Sequence, residues 1–299
     1  MANAIATNWA TTGRFYIVCA SSDANYVEVN GEYGDITYND GTAVVYPTLN
    51  AAVLKCRADA GDTILIVPGH TETVASAAAV TVGIANVNII GLGNGADRPN
   101  FNFTTATTAT LTVTAANVKF SNCVFTIGFD AVAAMVVVSA TDAQFQNCTF
   151  FTNNATMGAV LGLKAITTAD RLVVNNCQFI GPAANSGTTT TAQLEYVSPD
   201  MQITNSYFTG KMTQAILNVT TNSLRGIISN NIMVVATGTA AITVASGSTP
   251  MIVNNRMNVA SGTTPIVAAA GFVAGNIYSA AAGVTSTGQT GSTATVSTL

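Results

Sequence analysis

Charge is what this chain has least of. Only 8% of its 299 residues are Asp, Glu, Lys or Arg, against about 25% in ordinary soluble domains. The net charge is −4, and the densest basic stretch is Lys55-Cys56-Arg57. That excludes the basic patch a nucleic-acid partner would need. No uninterrupted apolar run reaches the roughly 18 residues of a membrane span, so no membrane is expected as a partner. Met1-Ala2-Asn3-Ala4 lacks the basic start of a secretory signal, so export by that route is not expected. The five cysteines (Cys19, Cys56, Cys123, Cys148, Cys177) are odd in number and form no C-x-x-C pair or Cys/His cluster. Reduced thiols are therefore expected, and neither a metal site nor a cofactor.

In place of charge the chain has Ala, Thr, Asn, Gly and Val, and 48% of its residues are hydrophobic. This is not the composition of disorder, which combines high net charge with few apolar residues. It fits β-structure with Thr and Asn ladders on its surface, or a surface largely covered by partners.

One phrase recurs. Its clearest copy is Val118-Lys-Phe120-Ser-Asn122-Cys123-Val-Phe125. It returns at Ala143–Phe150, Leu172–Phe179, Met201–Phe208 and Gly226–Met233, and more weakly at Met251–Met257 and Phe272–Tyr278. The aligned position reads Asn122, Asn147, Asn176, Asn205, Asn230, Asn254 and then Gly275. A period of about 25 residues marks a solenoid, a propeller or an array. Alternating apolar residues such as Val118 and Phe120 mark strands with one buried face. A second short strand precedes each phrase, for example Leu111–Val113 or Ile242–Val244, and no helix-length segment intervenes. A propeller blade needs about 40 residues and a leucine-rich repeat needs a helix or its Leu/Asn pattern. The pattern predicts an all-β fold: a right-handed parallel β-helix of about 8–9 coils, extending over residues 42–278.

Like residues then stack in columns. Asn122, Asn147, Asn176, Asn205, Asn230 and Asn254 are expected to form a ladder at a left-handed turn, with amides bonded along the stack. Cys123, Cys148 and Cys177 form a second column, read as small apolar residues filling an inward turn position. Before the repeat, helical spacing at Leu49, Ala52, Val53 and Cys56 predicts a capping helix at about residues 47–58. Residues 1–41 are expected to be an arm or cap outside the repeat, with strand-like alternation at Phe15–Val18 and Tyr26–Val29. Residues 279–299 are rich in Ala, Ser, Thr and Gly and are expected to be a tail packing on a neighbour.

The order helix, Gly61-Asp-Thr-Ile64, Val67-Pro-Gly69, then Val87-x-Ile89-x-Gly91-x-Gly93 resembles the opening coils of the pectin-lyase-like β-helix superfamily. The resemblance covers about Thr42 to Tyr278. It implies the fold, while its members include polysaccharide lyases, hydrolases, phage tailspikes and non-enzymatic virion proteins. The hydrolases need paired carboxylates a few ångströms apart. The lyases need an acidic calcium cluster and a basic residue that removes a proton.

Candidates for such chemistry are few. Asp142, Asp170 and Asp200 each precede the aligned Asn by five or six residues and are open to two readings. They are a column of carboxylates, or turn residues equivalent to Asn117, and the turn reading is favoured. His70, the only histidine, has Glu72 nearby and is read as a surface loop residue rather than a base. Gly91-x-Gly93-x-Gly95 has the composition of a phosphate loop but no helix behind it. No catalytic residue is assigned, and no enzyme activity is expected. The function expected is that of a structural bacteriophage virion protein, made in the host cytoplasm. It would decorate the capsid surface as a homotrimer, with the major capsid protein or other virion proteins as partners. A tailspike or fibre domain binding host glycan is the second reading, and a polysaccharide lyase the third.

Overall fold

The computed structural model describes residues 13–184, 186–219, 223–235, 240–259, 265–268 and 271–279. The chain is a right-handed parallel β-helix. Each coil has three short strands, and every strand pairs in parallel with its equivalents in the coils above and below. Face 1 contains Lys119–Ser121, face 2 contains Val124–Ile127 and face 3 contains Val136–Val138. The three sheets have eleven, nine and eight strands.

A two-residue alternation explains the core. In face 2, Phe101, Phe125, Phe150, Phe179 and Phe208 occupy one column, and all are fully buried. Their neighbouring ring centroids lie 5.5, 4.6, 4.5 and 4.7 Å apart in stacked geometry. Face 1 adds Phe120 stacked on Phe145. Such rings gain about 0.5–1.5 kcal/mol per pair beyond the area they bury. One coil alone could not hide them, so the stack is cooperative along its axis.

The corner from face 1 to face 2 is built by the aligned Asn. All six have positive φ, from 52° to 59°, and Gly275 takes the seventh position at 65°. Asn tolerates this region better than other residues with a side chain. Amide bonds run along part of the column: Asn147 Nδ2 donates to Asn122 Oδ1 at 3.0 Å, and Asn176 Nδ2 to Asn147 Oδ1 at 3.4 Å. Above them, Asn122 Nδ2 donates to the carbonyls of Gly91 and Gly93. A Cβ on Gly91 would lie 2.4 Å from the Asn122 carbonyl oxygen, so that glycine is a close-approach residue and not part of a phosphate loop.

The stronger ladder lies one residue further on, where the sequence pattern singled out the three cysteines but not the polar residues that continue their column. The inward column is Cys123, Cys148, Cys177, Ser206, Asn231, Asn255 and Asn276, all buried. Asn231 donates its backbone N–H and its Nδ2 to Asn255 Oδ1 at 3.0 Å, and Asn255 does the same to Asn276 Oδ1 at 2.9 Å. Their amides also donate to the Ile203, Ile228 and Ile252 carbonyls at 2.9 Å.

Two expectations at the N-terminal end need correction. Phe15–Val18 is not in an arm outside the repeat. It pairs in parallel with Thr63–Ile66 on one side and Val45–Tyr46 on the other, adding a rung to face 1. Tyr26–Val29 is not a strand but the start of a helix, Tyr26–Tyr33. Its spacing fits both periods, and Tyr26, Val29 and Tyr33 are the residues it lays against the core. The capping helix is shorter than expected, Leu49–Val53, with the Thr48 hydroxyl accepting from the Ala51 N–H. Its expected inward residues, Leu49, Ala52, Val53 and Cys56, are all buried. The tail expected at 279–299 lies, after its first residue, outside the described residues.

The two Asn columns should respond differently to mutation. Asn255→Ala leaves the Ile228 carbonyl and Asn231 amide groups buried without their partner, at about 1–3 kcal/mol for each. Asn254→Gly, at the exposed corner, should be near neutral because glycine accepts the same φ. Denaturant melts of the two variants check this, and equal losses would refute the inward ladder.

Candidate functional site

The acidic candidates are occupied by structural partners. Asp142 and Asp200 sit at the corner from face 3 to face 1 with φ of 61° and 58°, as Asn86 and Asn117 do in earlier coils. This is the turn role. The third member of that column is Arg171, with φ of 58°, and not Asp170. Asp170 lies one residue earlier, where its carbonyl accepts from the Asp142 N–H. Arg225 follows in the next coil. The column therefore alternates in sign. Arg171 donates to both Asp142 oxygens at 2.7 and 2.6 Å, and Arg225 likewise to Asp200. These hydrogen bonds hold both carboxyls below the usual range. Neither carboxylate is free to act as an acid or a base.

His70 is not a surface loop residue. It is 1% exposed, at the N-terminal end of the stack. Gly69, with φ of 75°, turns the chain after Val67-Pro68 and points the imidazole inward. Nδ1 lies 2.7 Å from Asp23 Oδ2, and Nε2 lies 3.6 Å from Glu72 Oε2. Asp23 Oδ2 also accepts from the Ala20 N–H, and Glu72 Oε2 from the Leu49 N–H at the start of the capping helix. Burial opposes the charged imidazolium, but the two carboxylates outweigh it, and the His70 pKa is raised. The cluster has the residue types of a catalytic triad without a nucleophile, and what it joins is the N-terminal segment, the capping helix and the second face of the first coil. Asp62, fully buried at the other end of the strand Thr63–Ile66, plays a similar part, accepting from the Arg14 and Arg57 N–H groups and the Arg57 guanidinium.

The cysteine column is enclosed by the stack. All five cysteines are buried and free. Burial pushes Cys123 and Cys177 well above the ordinary thiol range. For Cys148 between them, burial is outweighed by hydrogen bonds from Cys177 and Cys123, and its pKa is lowered.

A feature that sequence reading missed is a ridge of stacked loops between faces 2 and 3. It comprises residues 128–135, 152–160, and 181–184 with 186–189, in three consecutive coils; in the next coil a single residue, Lys211, joins Tyr207–Gly210 to Met212–Asn218. Asp130 ties the three loops together. Its Oδ1 accepts from the Gly158 and Thr188 N–H groups at 2.9 and 2.8 Å. The Asn147–Asn176 and Asn176–Asn205 spacings of 29 residues were the available signal.

The outer surface changes character along the axis. Early coils present Thr, Asn, Lys and Gln outward. Later coils present Tyr207, Ile232, Met251, Val267, Phe272 and Ile277, between 37% and 53% exposed. Beyond Arg225 the only charged residue is Arg256. This uncharged end, not a cleft, is the candidate interaction surface.

No family model and no curated protein matches the sequence. Among solved structures the chain is similar to one described as the crystal structure of pectate lyase Pel9A. The two superpose with a TM-score of 0.53 and 14% identity, over 95% of this chain and 79% of that one. At that identity the likeness is one of fold alone.

The His70 cluster gives a pH prediction. The imidazole is held more basic in the fold than its unfolded value of about 6.5. Its stabilisation is therefore complete below that pH and is lost as pH rises through the folded value. His70→Leu leaves Asp23 buried without its cation, at a cost on the order of 3 kcal/mol below about pH 6. The gap from the unsubstituted protein should shrink as pH rises, as read by thermal melting. A gap constant with pH would exclude a charged His70.

Proposed function

We propose that this chain is a structural protein of a tailed-phage virion, decorating and stabilising the capsid shell as a homotrimer. The observation that carries this reading is the low-charge end: residues 226–299 contain one charged side chain, Arg256, and among the described residues there Ile232, Met251, Val267, Phe272 and Ile277 are exposed. Exposed apolar ladders of that kind mark a surface that a partner covers. The engagement of Asp62, Asp130, Asp142 and Asp200 by structural partners adds to the reading, since these carboxylates have bonds to keep rather than a substrate to meet.

A glycan-binding tailspike is the second reading, favoured by Phe129, Phe151 and Tyr207, which are 36–38% exposed and offer rings on which sugars could stack. A polysaccharide lyase is the third, favoured by the fold alone.

Two measurements separate these readings. Incubated with polygalacturonate, alginate and capsular polysaccharide, the protein should release no unsaturated or reducing ends; steady release would defeat the structural reading. In purified virions, quantitative mass spectrometry should count it in hundreds of copies with the shell. A few copies at the tail tip would favour the spike.

A further inference from the structure

We infer that three copies of this chain meet through the edge where faces 1 and 2 join in the last four coils, face 1 of each copy packing on face 2 of the next. The inference rests on the homotrimer reading above and assigns its contact surface.

Two apolar columns flank this edge. On face 2, Tyr207, Ile232, Arg256 and Ile277 are in register, and the three apolar members are 37%, 45% and 51% exposed. On face 1, Ile227, Met251 and Phe272 are in register, the last two 39% and 53% exposed. Between the columns the edge itself is polar but uncharged: Asn230, Asn254 and Gly275, beside a shallow groove that Ile232, Arg256 and Ile277 also line. Face 3 offers less at this level. Of its outward residues Leu217, Thr243 and Val267, only Val267 is exposed.

Low charge favours a second copy as the occupant. A charged partner would leave its ionised groups desolvated against a surface holding one cation, at a cost nothing here offsets. A second copy presents a surface as uncharged as this one. Face 1 packing on face 2 of the next copy closes a ring in which each chain uses one patch toward each neighbour. The same two faces could also pair reciprocally about a two-fold axis, so the number is taken from the homotrimer reading and read directly by the test. Two patches flanking one edge suit a ring of three, in which each prism turns that edge toward the axis.

The test uses the full chain and two double variants, Met251→Asp with Phe272→Asp on face 1 and Ile232→Asp with Ile277→Asp on face 2. Sedimentation velocity at micromolar concentration should give a trimer for the unsubstituted chain and a monomer for each variant. Mixed in equal amounts, the two variants should form a one-to-one dimer, because each keeps the face the other lacks. Circular dichroism establishes that both remain folded; should either unfold, the single substitutions Phe272→Asp and Ile277→Asp take their place. A monomeric or dimeric unsubstituted chain would overturn the homotrimer reading itself. A trimer that persists in the folded variants, or variants that do not combine, would overturn the assigned edge and leave the trimer standing.

Discussion

Everything in this fold depends on one backbone constraint: each coil must turn from face 1 to face 2 through a residue in the left-handed conformation. For an ordinary side chain that region costs about 1–2 kcal/mol. Asn at six corners and Gly275 at the seventh keep the cost low, and the identical turn keeps the strands in register. Once the corner is fixed, the next residue must point inward. Its chemistry then sets what holds each rung. Cys123, Cys148 and Cys177 fill that position where the phenylalanine stack is continuous. The amides of Asn231, Asn255 and Asn276 take over where the stack gives way to Met233 and Met257. Ser206 lies at the join, donated to by the Cys177 N–H while its own N–H donates to Asn231 Oδ1. Ring dispersion and amide hydrogen bonding thus replace one another along a single solenoid.

The period, the alternation and the Asn corner were legible because each follows from a local rule repeated many times. What escaped was set by position in space. The Asp142–Arg171 pair could not be found by aligning carboxylates, because that coil is longer and the residue brought into line is Arg171 rather than Asp170. His70 follows a Gly in a turn, which reads as surface. Its burial arises because Asp23, in a segment far away in sequence, closes over it. Tyr26–Val29 satisfied a strand period and a helix period equally, and contacts with the core made the choice. Of the candidate interaction surface, the low charge of the whole chain was legible. Its concentration at one end became meaningful only when the rungs were stacked in order.

The two ends of a solenoid face the same hazard, unpaired strand edges that template aggregation, and this chain treats them differently. At the N-terminal end, residues 15–54 hold five acids and no base. The helix Leu49–Val53 covers the first coil, and the buried Asp23–His70–Glu72 and Asp62–Arg57 clusters fasten that cover. The fitted cap makes association through that end unfavourable. At the other end the outward ladders of faces 1 and 2 turn apolar and charge falls to Arg256 alone. On the proposed trimer, a chain that caps one end and leaves the surface near the other almost uncharged has its direction of assembly built in. Coverage of the C-terminal coils is then, on that reading, not an accessory to the fold. It completes the burial that each coil, taken singly, cannot achieve.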